Sequence, residues 1–237
     1  MCYNEKQSFF FFIIGIITVL YILKDPILRK TNIQFVLLFY CCMELLQSIQ
    51  YFYVNQCENI INKVLTEFAY VLVILQPLIW NIFFYTNSNK YEKYIFMTAI
   101  YLCLCWIAVN VASRLLYKKI FVPQKAENSA FASDKVCTKK LHSHLYWKWT
   151  SAHFYEFNAN FLMYVLLWFV PALISKSSFH YAILILFGAM VGAMYGYTYD
   201  PEELYLTFTA AWCYISVPIV LCVLAQIIYS KYIKYIK

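Results

Sequence analysis

The sequence predicts an all-α fold, a polytopic transmembrane helix bundle of about seven helices, and three observations carry that expectation. Charged residues make up 13% of the chain and aromatics 21%, against roughly 25% charged residues in an ordinary soluble domain. Uncharged runs recur at or near the ~20 residues that cross a ~30 Å hydrocarbon core. Only short polar segments and one longer loop separate them, so residues 1–237 read as a single transmembrane domain.

The first helix is placed at residues 8–23. Its length is that of a signal peptide, but Tyr21-Ile22-Leu23-Lys24-Asp25-Pro26 offers no small-residue cleavage site, so it reads as retained. A basic turn around Pro26 leads to the second helix, residues 32–54, with Thr31 or Asn32 as its cap. A polar loop holding Cys57 precedes the third, residues 64–85. There Glu67 falls in the first turn, and Pro77 removes the donor for the Val73 carbonyl, bending the helix. The fourth takes residues 94–113. The long loop 114–152 follows, and its end, Val136 to Trp149, alternates enough to suggest a hairpin. The fifth helix, residues 153–175, is bent by Pro171; the sixth is residues 181–197. Asp200 and Pro201 supply a cap and a first position for the seventh, residues 202–229.

The net charge of +7 does not indicate nucleic-acid binding, because most of it sits in one loop. Arg114, Lys118, Lys119, Lys125, Lys135, Lys139, Lys140 and Lys148 face only Glu127 and Asp134 there. With that loop set aside, two lysines flank one side of the expected bundle and nine Lys/Arg the other. The positive-inside rule then puts the N-terminus outside and the tail of Lys231, Lys234 and Lys237 in the cytoplasm. Cys2, Cys57 and Cys137 lie outside the apolar spans and would share the non-cytoplasmic side, where a disulfide between two of them persists.

Glu44 lies near the middle of the second helix. Helical spacing puts it on one face with Tyr40, Gln47 and Tyr51. A carboxylate at that depth is costly in lipid, so it should face protein or a wet cavity. Gln76 and Asn81 lie at similar depth beside Pro77, and the four residues Glu44, Gln47, Gln76 and Asn81 are the candidate ligand- or proton-binding groups. Gly188, Gly192 and Gly196 form a spacing-of-four ridge suited to close helix packing, and through it to a homo-oligomer.

His142-x-His144 with Cys137 and His153 matches no standard zinc spacing, and no cofactor or metal motif is expected. No mid-helix lysine occurs in the seventh span, which removes a retinal protein. A membrane-embedded hydrolase would use Glu44 or His153 with a metal; His153 and Glu156 have helical spacing, but beside Trp149 they read as ordinary interface residues. The expected function is a non-enzymatic membrane component, structural or ligand-binding, with the bilayer as its partner. A proton-coupled transporter using Glu44 is the alternative and the metal-dependent hydrolase a second.

Met1-Cys2-Tyr3-Asn4-Glu5-Lys6-Gln7-Ser8, running straight into an apolar helix, resembles the start of an uncharacterised family of multi-pass membrane proteins from large DNA viruses and some microbes. Its members open Met-Cys-Phe/Tyr-Ser; Asn4 stands where that Ser would be. Met43-Glu44-Leu45-Leu46-Gln47 with Tyr51-Phe52 is similar to the family's second-helix pattern. The resemblance implies a membrane fold in a viral or host-derived membrane and no reaction.

Overall fold

The computed structural model describes residues 5–120, 136–141, 144–148, 161–199 and 204–230. Among them are eight α-helices: α1 (Glu5–Lys24), α2 (Pro26–Arg29), α3 (Ile33–Gln50), α4 (Ile60–Asn87), α5 (Lys93–Ile120), α6 (Phe161–Ile174), α7 (Phe179–Tyr199) and α8 (Leu204–Ile228). Two strands, β1 (Cys137–Leu141) and β2 (His144–Lys148), pair in a small sheet. The all-α expectation therefore needs a correction. In β2 the buried Leu145 and Trp147 alternate with the half-buried Tyr146 and Lys148, and that period of two suits a strand better than a helix turn.

Each of the seven expected segments carries a helix, with shifted ends. The basic turn at Pro26 is itself helical, because Asp25 caps it by accepting the N–H groups of Ile27 (2.8 Å) and Leu28 (3.0 Å) while Pro26 opens the turn. Asn32 occupies the cap position of α3 with φ 60 and makes no side-chain cap bond; Thr31 Oγ1 accepts from the Ile33 N–H instead. A 3-10 turn, Tyr51–Tyr53, continues α3. α4 begins at Ile60, capped by the Asn59 side chain on the Ile61 N–H (2.9 Å), which leaves Glu67 beyond the first turn where it had been expected. α5 runs seven residues past the expected end. Asp200 and Pro201, read as the start of the last helix, lie outside the described residues, as do 153–160 at the start of the fifth.

Among the described residues, four helical segments are long and apolar enough to cross a membrane: Glu5–Lys24, Ile33–Tyr53, Ile60–Asn87 and Lys93–Ala112. Met163–Ile174, Phe179–Gly188 and Ser216–Ile228 are apolar but shorter.

The chain folds as two compact units, each discontinuous in sequence. The first combines 1–52, 140–146 and 180–237. Within it α1 lies along α3 and presents a narrow stripe of Ser8, Gly15, Val19 and Ile22, whose spacings of seven, four and three follow the helical period. α8 also packs on α3, burying Val217, Val220, Val223 and Leu224. The second unit combines 53–139 and 147–179. Its core is aromatic: Trp80 stacks on Trp168 at 6.2 Å, and Phe83, Phe84, Phe96 and Phe169 are buried with them. Ring area of this kind dominates what a small core can bury.

Candidate functional site

In α3 the three-to-four spacing of polar residues converts directly into a buried row. Tyr40, Glu44 and Gln47 are buried and Tyr51 is half-buried, while Phe35, Leu38 and Phe52 on other faces are exposed. Glu44 and Gln47 have no exposed surface at all. Gln34, Ser48 and Gln50 are buried on the same helix, with Ser48 Oγ donating to its own Leu45 carbonyl (2.8 Å). A carboxyl in such a setting can bind and release a proton, and an amide one turn away can hydrogen-bond the carboxyl or a polar ligand.

Gln76 and Asn81 belong to the second unit and both reach α6. Gln76 Oε1 accepts from the Tyr164 hydroxyl. Asn81 Nδ2 donates to the Leu167 carbonyl at 2.8 Å and to its own Pro77 carbonyl at 2.8 Å. The first of these has a specific cause. The Leu167 carbonyl would normally accept the N–H of the residue four on, and that residue is Pro171, which has none. Asn81 supplies the missing donor from a neighbouring helix, the kind of repair that a kinked helix needs where water is absent. Its role in the fold is a cross-tie between α4 and α6.

The same helix carries more cross-ties. The Tyr70 hydroxyl donates to Asn110 Oδ1 of α5 (2.9 Å), and Asn110 Nδ2 donates back to the Trp106 carbonyl (2.8 Å). At the end of α4, Glu92 Oε1 accepts the Ser177 N–H (3.2 Å), and the Ser177 and Ser88 hydroxyls meet at 3.4 Å. The Ser177 side chain, first, and its backbone then hold the Glu92 carboxyl below the usual carboxylate range.

At the other end of α4, Cys57 and Cys137 are joined in a disulfide with Cα atoms 5.0 Å apart. Beside it Asn62, Thr66 and Thr138 form a buried hydrogen-bonded group. Cys2, the third cysteine outside the apolar runs, lies outside the described residues.

Of the packing glycines, Gly188 is buried in α7, while the surroundings of Gly192 and Gly196 lie outside the described residues. The glycine whose neighbours are described was not singled out by spacing. A Cβ built on Gly15 would come within 2.3 Å of Cys41 Sγ. Tyr70, Asn110, Tyr164, Asn62, Thr66 and Thr138 were also passed over. The i, i+4 run Asn62, Thr66, Tyr70 was the signal for three of them. His142, His153 and Glu156 lie outside the described residues; among those described, no three His, Cys, Asp or Glu side chains converge as a metal site would require.

A family model described as a family of unknown function (DUF5765) matches residues 6–233. Uncharacterized protein R287 of Acanthamoeba polyphaga mimivirus is 27% identical over 181 residues, which cover 70% of this chain and 72% of that protein. No solved structure matches.

Proposed function

The chain belongs to the family of unknown function DUF5765, and from that premise, which supplies no activity, we propose that it is a non-enzymatic, multi-pass integral membrane protein serving as a structural component of a viral or host-derived membrane. One observation carries the proposal: polarity runs opposite to that of a soluble protein. Phe10, Ile17, Leu20, Phe35, Phe68, Phe187 and Met194 are exposed, while Glu44, Gln47, Gln76 and Asn81 are buried. In water such a surface would aggregate; in hydrocarbon it is the favoured arrangement, and the buried amides and hydroxyls tie helices together.

The disulfide favours placing the α4 start and the hairpin on a non-cytoplasmic face, since such bonds persist in oxidising compartments. The Lys/Arg asymmetry supports the same orientation, with the N-terminus outside and the basic tail in the cytoplasm. Alkaline carbonate extraction tests integration: the protein should stay with the membrane pellet, and release into the supernatant would refute the proposal. A glycan acceptor introduced between α5 and β1 should be modified if the orientation holds.

Glu44 supports a second reading, a site that binds a proton or small polar ligand. Purified protein in vesicles loaded with a pH-sensitive dye separates the two. Flux that Glu44→Gln abolishes supports transport; the structural reading expects no flux from the native chain and a silent Glu44→Gln.

A further inference from the structure

Strand β1 is held against the start of α4 by more than its disulfide. The Thr138 N–H donates to Asn62 Oδ1 (2.9 Å), and the Thr138 carbonyl accepts from Asn62 Nδ2 (3.0 Å). The asparagine side chain thus pairs with both backbone groups of one residue, as a neighbouring antiparallel strand would. The same carbonyl accepts the Asn55 N–H (3.1 Å), and the Thr66 and Thr138 hydroxyls lie 2.7 Å apart. Asn62 Nδ2 also reaches the Tyr53 carbonyl (2.7 Å), so the segment before α4 is fastened to the same amide. Asn62, Thr66 and Thr138 are all buried. That segment carries Cys57, and the residue next to Thr138 is Cys137.

We infer that Asn62 is the positioning residue for the Cys57–Cys137 disulfide: it docks Thr138 and so delivers Cys137, rather than another of the nine cysteines, to Cys57 across 80 residues of chain. Closing that loop is the entropic cost of forming the bond. A dock that closes it first raises the effective concentration of one thiol at the other. Oxidation takes two electrons and two protons from the two thiols. In a glutathione buffer they pass to glutathione disulfide, which leaves as two glutathione thiols. The dock itself involves no sulfur, so β1 stays seated when the bond is reduced.

The test is a redox titration of the full chain in detergent, in glutathione buffers of graded ratio. Differential alkylation and peptide mass spectrometry then read Cys57 and Cys137 individually. Asn62→Ala should shift the pair toward the dithiol by tenfold or more in equilibrium constant, about 30 mV for a two-electron couple. Tyr70→Phe, which removes a tie on the same helix without touching Thr138, should leave the midpoint within about twofold of the native chain. If Asn62→Ala fails to fold, Thr66→Val decides instead, with a shift of about threefold expected from loss of the hydroxyl pair. An unchanged midpoint in the Asn62 or Thr66 variant, or an equal shift in Tyr70→Phe, overturns the inference. Mixed pairing of Cys57 with other cysteines in Asn62→Ala after reoxidation supports it.

Discussion

Gly15 offers the sharpest test of the packing in the first unit, because its conflict involves one atom. A methyl group at Gly15 would sit 2.3 Å from Cys41 Sγ, far inside any real contact, while Leu37 Cδ1 and Cys41 Cβ lie at 3.8 and 3.9 Å, ordinary van der Waals distances. Cys41 is fully buried in α3, and a helix leaves its side chain few other rotamers, so the sulfur cannot simply swing away. Gly15→Ala should therefore cost about 1–3 kcal/mol, the range for overpacking a tight core. Cys41→Ala alone should cost about 1 kcal/mol by leaving a small void. The double variant is the informative one. With Sγ gone, the two methyl groups stand 3.9 Å apart and fill each other's space. Cys41→Ala should then stabilise the Gly15→Ala protein, giving a coupling of about 1–3 kcal/mol. Unfolding in mixed micelles titrated with dodecyl sulfate, followed by tryptophan fluorescence, measures all four corners of the cycle. Additivity within about 0.5 kcal/mol would refute the geometry at this crossing.

Three further outcomes are expected. Asn81→Leu should cost about 1–3 kcal/mol by stranding the Leu167 carbonyl, and should cost clearly less in a Pro171→Ala background, where the residue four on regains its N–H; the same unfolding assay reads both. Cys57→Ser should lower stability by about 4.5 kcal/mol on the chain-entropy estimate for an 80-residue separation, and reductant should reproduce the loss in the native chain but not in the variant. Because Glu92 has its carboxyl held below the usual range by Ser177, the stability it contributes is present above the unfolded value of about 4.3 and is lost as pH falls through its lower folded value. Glu92→Gln should flatten that acid limb of a stability-versus-pH curve, and an unchanged limb would remove Glu92 as its source.

Hydropathy and periodicity located the helices, because both are local properties of the chain. The runs at 8–23, 32–54, 64–85, 94–113, 181–197 and 202–229 lie on helices whose ends differ by one to seven residues. Asn59 rather than a later residue starts α4, and α5 continues past Ser113. The burial of Glu44 and Gln47 was legible for the same reason: a polar row at helical spacing in an apolar run has one face to hide on.

What the linear order could not disclose is which groups meet. Nothing near Asn81 in sequence points to Leu167, 86 residues away, although Pro171 announces that some donor must be found. Three loop cysteines left the pairing open until α4 and β1 were brought together by Asn62. Gly15 stood alone in its helix while three glycines in α7 formed a visible ridge, yet its close neighbour is a sulfur on α3. Helices, caps and buried faces are decided within a few turns of chain, and the sequence determined those. Hydrogen-bond partners, the disulfide and the close helix crossing depend on contacts between distant segments. Only the tertiary structure decided them, because a lone polar group or glycine specifies the need for a partner without specifying its address.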